Sequence, residues 1–335
     1  MRPEQEKESP ATGARESIPT LEPYQLIAAE AFLGLLPDPC TDILEIGSDI
    51  ECRTMAWLAT KTGARVTGIN PSPEFATSPP PWNGTPGTLR VQKGDGRNLD
   101  FEDESFDAVL SIATMEHVNG VEELLAEVTR VLRPGGVFHT TFDPIWTCGI
   151  GHHTYAVVGS KEARFWKPGR NPVPDFTHLL MTPEEMRGFL QEGPCSDELI
   201  EPIIDWIYHG DDINRLPFSG YLAAFETCPL QIENLRYLHG PQPARTDLEA
   251  LRLKHGNQED FACSGFIVTL RKTGSSRVKR RSLSQSSSVV RRVFRIAASP
   301  RTWRRLPHIV RKLMSPEIWT RIANQLEDLL NDRNR

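Results

Sequence analysis

The stretch Thr41-Asp-Ile-Leu-Glu-Ile-Gly-Ser48 is a short apolar run ending in an acid and a glycine, and similar runs recur beyond it at regular intervals. Arg65-Val-Thr-Gly-Ile-Asn70 comes after about one helix of chain. Then come Gly94-Asp-Gly96, Phe106-Asp-Ala-Val-Leu-Ser-Ile112 and Leu132-Arg-Pro-Gly-Gly-Val-Phe138. Strand-length apolar runs separated by helix-length segments, with glycine at their carboxyl ends, restrict the chain to an open parallel sheet. Such a sheet binds its ligand over the strand tips.

The pattern assigns strands to Asp42–Ile46, Arg65–Ile69, Leu89–Gln92, Ala108–Ile112 and Val137–Phe142. Helices are expected over Tyr24–Leu36, about 50–61 and Val121–Leu132, the last with Leu124, Leu125, Val128 and Leu132 at helical spacing. Pro134-Gly-Gly136 reads as the turn into the fifth strand. Pro71–Gly87, with its Pro79-Pro-Pro81, reads as a long loop. After Phe142 the alternation fails, and 143–180, rich in Pro, Gly, Trp and His, reads as an insertion above the strand tips. Thr182-Pro-Glu-Glu185 is a helix start with a capping box. Later strands are expected at Gln231–Leu238 and Phe266–Arg271.

Charge divides the chain. Arg271–Lys312 holds 14 Lys and Arg and no acid, so the remainder carries 24 basic against 44 acidic residues. An acidic body argues against nucleic acid as partner. The six cysteines form no Cys-x-x-Cys pair, which argues for reduced thiols in a cytoplasmic protein rather than a disulfide frame or zinc site. The organisation expected is a disordered 1–20, a folded 21–272, a Ser/Arg-rich linker 273–288 and an amphipathic helical tail 289–335. The tail suits a peripheral membrane surface or protein partner through residues 289–330; packing on its own acidic body is the competing reading.

The ordered combination Asp95, then Asp103-Glu-Ser-Phe-Asp-Ala-Val-Leu-Ser-Ile-Ala-Thr-Met-Glu-His-Val118, then Leu132-Arg-Pro-Gly-Gly136, resembles the class I S-adenosylmethionine-dependent methyltransferases, in particular the type 11 small-molecule group. The resemblance covers 25–190 in detail and runs to 272 in topology. It implies a Rossmann-like, seven-stranded, mostly parallel α/β sheet with helices on both faces and a last strand that is antiparallel and beside the sixth.

By the same resemblance, S-adenosyl-L-methionine lies over Glu45, Gly47 and Ser48. There the glycine admits the cofactor's methionine part and the acid accepts from its amine. Asn70 stands where the family places a ribose-binding acid, Asp95 and Gly96 where it receives adenine, and Ile112 and Ala113 beneath the cofactor. Asp49 and Glu51 occupy positions where the family has glycines. Glu45 and Asp95 also read as a plain strand-end acid and a turn former.

Three histidines are candidate bases for a hydroxyl acceptor: His117 after the fourth strand, and His152 and His153 in the insertion. Loop-holding hydrogen bonds are the alternative for each. A metal site from His152, His153, His178 and Asp175 matches no standard ligand spacing, so no metal is expected. Trp146, Tyr155, Phe165 and Trp166 read as an apolar lid or as packing of the insertion. The function expected is methyl transfer to oxygen of a small-molecule or glycan-type acceptor. The alternative is a methyltransferase fold that binds without catalysing, docking through its basic tail.

Overall fold

A computed structural model describes residues 20–72, 75, 89–193 and 195–273. The expected disordered amino terminus, most of the Pro71–Gly87 loop, and the linker and basic tail lie outside the described residues.

The strands are β1 (Asp42–Ile46), β2 (Arg65–Asn70), β3 (Leu89–Lys93), β4 (Phe106–Ile112), β5 (Leu132–Phe142), β6 (Tyr155–Val158), β7 (Lys161–Arg164), β8 (Gln231–His239) and β9 (Cys263–Arg271). The helices are α1 (Pro23–Leu33), α2 (Arg53–Thr62), α3 (Val121–Val131), α4 (Thr177–Leu180), α5 (Pro183–Glu192), α6 (Asp197–Ile204), α7 (Phe218–Thr227) and α8 (Arg245–His255). Seven strands form one sheet in the order β3-β2-β1-β4-β5-β9-β8, with β6 and β7 a separate hairpin. The first five pair in parallel; β9 runs antiparallel to both β5 and β8. The chain winds outward from β1 to β3, then returns to start β4 beside β1. The tips of β1 and β4 therefore flank the switch point where ligands bind in open sheets.

Every residue of β1 is buried, as a central strand covered on both faces must be. On one face, Leu124, Leu125 and Val128 of α3 and Tyr221 and Phe225 of α7 pack against Leu44, Val109 and Phe138. On the other, Phe32 of α1 and Met55 and Leu58 of α2 cover Ile43, Val66 and Leu110. Thr182 caps α5 as expected: its Oγ1 accepts from Glu185 N at 3.2 Å and its own N–H donates to Glu185 Oε2 at 2.8 Å. Among the described residues no helix is long and apolar enough to cross a membrane, and all six cysteines are free.

Two expectations are refined. Pro134-Gly-Gly136 does turn the chain, but as a bulge within β5 rather than before it: α3 passes into β5 at Leu132, Gly135 takes φ +82°, and the β4 register jumps from Leu132 opposite Phe106 to Val137 opposite Ala108. Gly135 N donates to Lys272 O and Lys272 N to Gly136 O, so the end of β9 pairs with this bulge. A Cβ on Gly136 would lie 2.8 Å from Arg133 O and 2.9 Å from Asp107 O, which explains the glycine. Second, the insertion is not irregular throughout. It contains the β6–β7 hairpin, whose Ala156 and Ala163 share a core with Met186 of α5 and Ile200 and Ile203 of α6. The structural unit above the sheet therefore extends past residue 180. In the first turn, positive φ falls on Gly47 and Cys52, and not on Asp49 or Glu51.

Candidate functional site at the strand tips

The end of β1 is stitched to the end of β2. Gly47 N and Ser48 N both donate to Ile69 O, at 2.9 and 3.1 Å, and Asn70 Nδ2 donates to Ser48 O at 2.9 Å. Gly47 has φ +81°, and a Cβ there would collide with the Thr114 side chain beyond β4. The missing side chain thus lets the β1 and β4 tips close on each other. Beneath the turn Glu45 is buried, and its Oε2 accepts from Ser48 Oγ at 2.8 Å. Loss of hydration pushes its carboxyl up to about 8, and no cation is among the groups that act on it.

The two acids beyond the turn are occupied locally. Asp49 accepts from Arg53 N at 3.2 Å at the start of α2, where the helix dipole favours an anion, and Glu51 pairs with the Arg53 guanidinium at 2.6 Å. They therefore serve the helix start in place of glycines. Asn70 is also engaged at its other end, its Oδ1 accepting from Ser72 N at 2.8 Å. Beyond β3, Asp95 chelates Arg97, with Nη2 at 2.6 Å and the Arg97 backbone N at 2.9 Å, and Arg97 Nη1 reaches Asn119 O at 2.6 Å. That arrangement holds the Asp95 carboxyl below its usual range, hydrogen bonds from Arg97 outweighing partial burial. Gly96 lies against Ile46 and Leu124.

After β4, Ile112 is buried and Ala113 takes φ +48° while its N–H donates to Thr141 O at 2.8 Å. Thr114 Oγ1 donates to Ile112 O at 2.9 Å, and Met115–His117 form a 3-10 turn. A distant segment holds this turn. Asn214 Nδ2 donates to Met115 O at 2.8 Å and Val118 O at 3.1 Å, Asn214 N to Glu116 O at 3.1 Å, and His117 Nδ1 meets Asp212 O at 2.5 Å. Sequence reasoning missed Asp212 and Asn214. They lie in an irregular segment about a hundred residues from their partners, and no local pattern marks them.

The histidines separate. His117 and His153 come together, ring centroids 5.2 Å apart, whereas His152 stacks edge-on to His178 at 5.3 Å. His152 is fully buried, and its Nδ1 accepts from Thr154 N at 3.0 Å, so its basic nitrogen is consumed. His153 has φ +45° and its Nδ1 lies 2.8 Å from Gly151 O, which makes that nitrogen the donor. Burial pushes His153 down to about 3 and His178 to about 4, so both are neutral, weak bases. Glu116 is buried beside them, and desolvation raises its carboxyl well above the usual range. His178 Nε2 bonds Trp146 O at 2.9 Å and does not join His153 and His117. Phe165 packs edge-on to His153 at 5.3 Å; Tyr155 stacks on Trp166 at 6.0 Å with Arg164 over both rings. Tyr24, at the start of α1, is a further neighbour missed by sequence reasoning. It is 45% exposed, and partial desolvation with the charges of Glu22, Asp49 and Glu116 raises its phenol.

Comparisons with known proteins match this arrangement in its central part. Residues 44–140 match the family model described as "Methyltransferase domain". Methyltransferase GfsG of Streptomyces halstedii is 35% identical over 97 residues, 28% of this chain and 34% of that protein. A sterol 24-C-methyltransferase of Neurospora crassa is 38% identical over 123 residues, 34% of this chain and 32% of that one. The chain thus spans about a third of the length of the curated relatives it matches. A solved S-adenosylmethionine-dependent methyltransferase from Mesorhizobium loti aligns over 74% of this chain and 99% of its own, at 18% identity and a TM-score of 0.42, too loose a likeness to bear on function. The switch point, the turn after β1 and the block after β4 all fall inside or beside the matched segment: residues 44–140 of this chain match a methyltransferase domain.

Proposed function

We propose that the chain transfers a methyl group from S-adenosyl-L-methionine to an oxygen of a small-molecule or glycan-type acceptor. The observation that carries this reading is the convergence of Glu45, Asn70 and Asp95 at the ends of three adjacent parallel strands, beside the switch point. The residues present suit the cofactor. Glu45 is a buried acid without a cation, beneath the turn where a cationic amine would lie. The Asp95 side chain is 43% exposed and keeps lone pairs beyond those Arg97 uses, which suits an adenine amino group. Asn70 Oδ1 retains one acceptor position for a ribose hydroxyl.

The bound cofactor supplies an electrophilic methyl on a cationic sulfur. The chain's own residues orient and shield. The β1–β4 tips, closed by Gly47 against Thr114, form the floor, and alignment in line with the departing sulfur supplies most of the rate. A hydroxyl acceptor must lose its proton as it attacks. Exposed His117 is the proton acceptor, meeting the acceptor through Nε2 once Asp212 O holds its Nδ1–H, with buried Glu116 and His153 beside it. Tyr155 and Trp166, both more than a third exposed on the β6–β7 hairpin, suit stacking against a sugar or other flat acceptor.

Transfer to carbon is a second reading, favoured by the identity with a sterol 24-C-methyltransferase. Calorimetry with the cofactor, then an acceptor screen for S-adenosylhomocysteine release, tests the proposal, and the product's NMR spectrum separates oxygen from carbon. Absence of binding at millimolar cofactor refutes the enzyme reading and leaves a non-catalytic binding protein.

A further inference from the structure

Among the described residues, one group of three side chains brings ligand atoms of metal-binding type within 4.8 Å of one another: Glu116, His117 and His153. Two features separate this group from a loop held together by its own hydrogen bonds. The first is the tautomers. His117 Nδ1 is at 2.5 Å from Asp212 O and His153 Nδ1 at 2.8 Å from Gly151 O. A carbonyl only accepts, so both rings carry their proton on Nδ1 and present an unprotonated Nε2. Metal-binding histidines are fixed in this way by a backbone carbonyl or carboxylate. The second is unmet hydrogen bonding. Glu116 and His153 are each 2% exposed, and Glu116 Oε2 and His153 Nε2 have no hydrogen-bond partner. Leaving two such atoms buried and unpaired carries a desolvation penalty that a bound cation would offset.

We infer that Glu116, His117 and His153 hold a divalent transition-metal ion. Two imidazoles and one carboxylate suit zinc, iron, cobalt or nickel over magnesium or calcium, which prefer all-oxygen shells. Bonds of about 2.0–2.2 Å place ligand atoms about 3.3–3.5 Å apart in a tetrahedral site. Atoms that lie within 4.8 Å of one another therefore need to close by at most about 1.5 Å. Three protein ligands leave a coordination position open, as in catalytic rather than structural sites. Exposed His117 places that position on the solvent side of the cluster. If the acceptor reading is right, the ion would lower the pKa of a hydroxyl brought to it. The proton then leaves to solvent, in place of direct transfer to His117. The ion's binding itself does not depend on that reading.

The test is a titration of the chelator-treated full chain with Co2+, monitored by visible d–d absorption, with Zn2+ as competitor. One equivalent is expected to bind and to be displaced by Zn2+. Glu116→Gln, His117→Ala and His153→Asn are each expected to weaken Co2+ by ~10-fold or more, and His209→Ala, at a histidine outside the cluster, to leave it unchanged. Circular dichroism checks that the variants fold. If they do not, X-ray absorption of the Zn2+-loaded native chain decides, with two imidazoles and no sulfur expected in the first shell. Absence of saturable binding, cysteine sulfur in that shell, or full affinity in folded Glu116→Gln and His153→Asn would overturn the inference. Calorimetry with S-adenosylmethionine on the metal-free chain runs in parallel, so failure of the metal site and failure of the methyltransferase reading appear separately.

Discussion

Glu45→Gln tests whether the buried acid of the first turn is held for a cation at the expense of stability. The carboxyl is 3% exposed and its pKa is raised from 4.5 to about 8, chiefly by desolvation, against the Ser48 hydrogen bond, which lowers it. Proton uptake sets the sign. Below pH 4.5 the group is protonated in both states and adds no pH dependence. Between 4.5 and about 8 the unfolded chain has released the proton and the folded chain retains it, so stability falls as pH rises. Above that window both states are ionised and the loss is complete. At about 1.4 kcal/mol per unit, the shift amounts to an upper limit of roughly 5 kcal/mol. Glutamine keeps the shape and an acceptor for Ser48 but cannot ionise. Urea unfolding of both proteins from pH 5 to 8.5 isolates this group, because other titrating residues cancel in the difference. The stability of Glu45→Gln relative to the native chain should grow by about 2–4 kcal/mol across that range. In the same variant S-adenosylmethionine should bind more weakly by about 1.5–3 kcal/mol, the worth of a hydrogen bond to a charged group. A pH-independent difference would refute the burial argument. Unchanged cofactor affinity would refute the role of Glu45 in binding it.

Three further outcomes are expected. Gly47→Ala should destabilise by about 1–3 kcal/mol through its positive φ alone, with more from the collision with Thr114; adding Thr114→Ala should recover the part of the collision due to its Oγ1 and Cγ2, read as non-additivity in a double-mutant cycle. Asp95→Ala should weaken S-adenosylmethionine at least tenfold in calorimetry, whereas Arg97→Ala, which removes that side chain's bonds to Asp95 and Asn119 O but keeps its backbone bond to Asp95, should change affinity far less. Tyr221→Phe should cost about 1 kcal/mol in urea unfolding, because the Asn214 amide that donates to the Tyr221 hydroxyl at 2.8 Å loses that acceptor.

Most of the sheet was legible because parallel strands covered on both faces write themselves as apolar runs. Asp42–Ile46 and the α3 stripe Leu124, Leu125 and Val128 are local patterns that burial enforces. The start of β5 was only partly legible: Pro134-Gly-Gly136 bends the chain as its local chemistry says, but the pairing that draws the bend into the strand comes from β9, remote in sequence. The helices α6, α7 and α8 had no equally clean period. The β6–β7 hairpin was hidden because its core partners lie on α5 and α6, outside the expected insertion.

The sequence by itself determined the order of strands, the acid and glycine at the tip of β1, and the acid between two glycines after β3. These are set by short-range patterning and by the backbone freedom of glycine, properties readable within a few residues. The tertiary structure alone decided how those groups are used. It turned Asp49 and Glu51 toward the start of α2 and consumed the basic nitrogen of His152. It also set His153 beside Glu116 and His117 through a loop some 35 residues further along the chain. Which nitrogen of a histidine is free depends on the carbonyl that faces it, and that carbonyl is chosen by packing across the whole sheet.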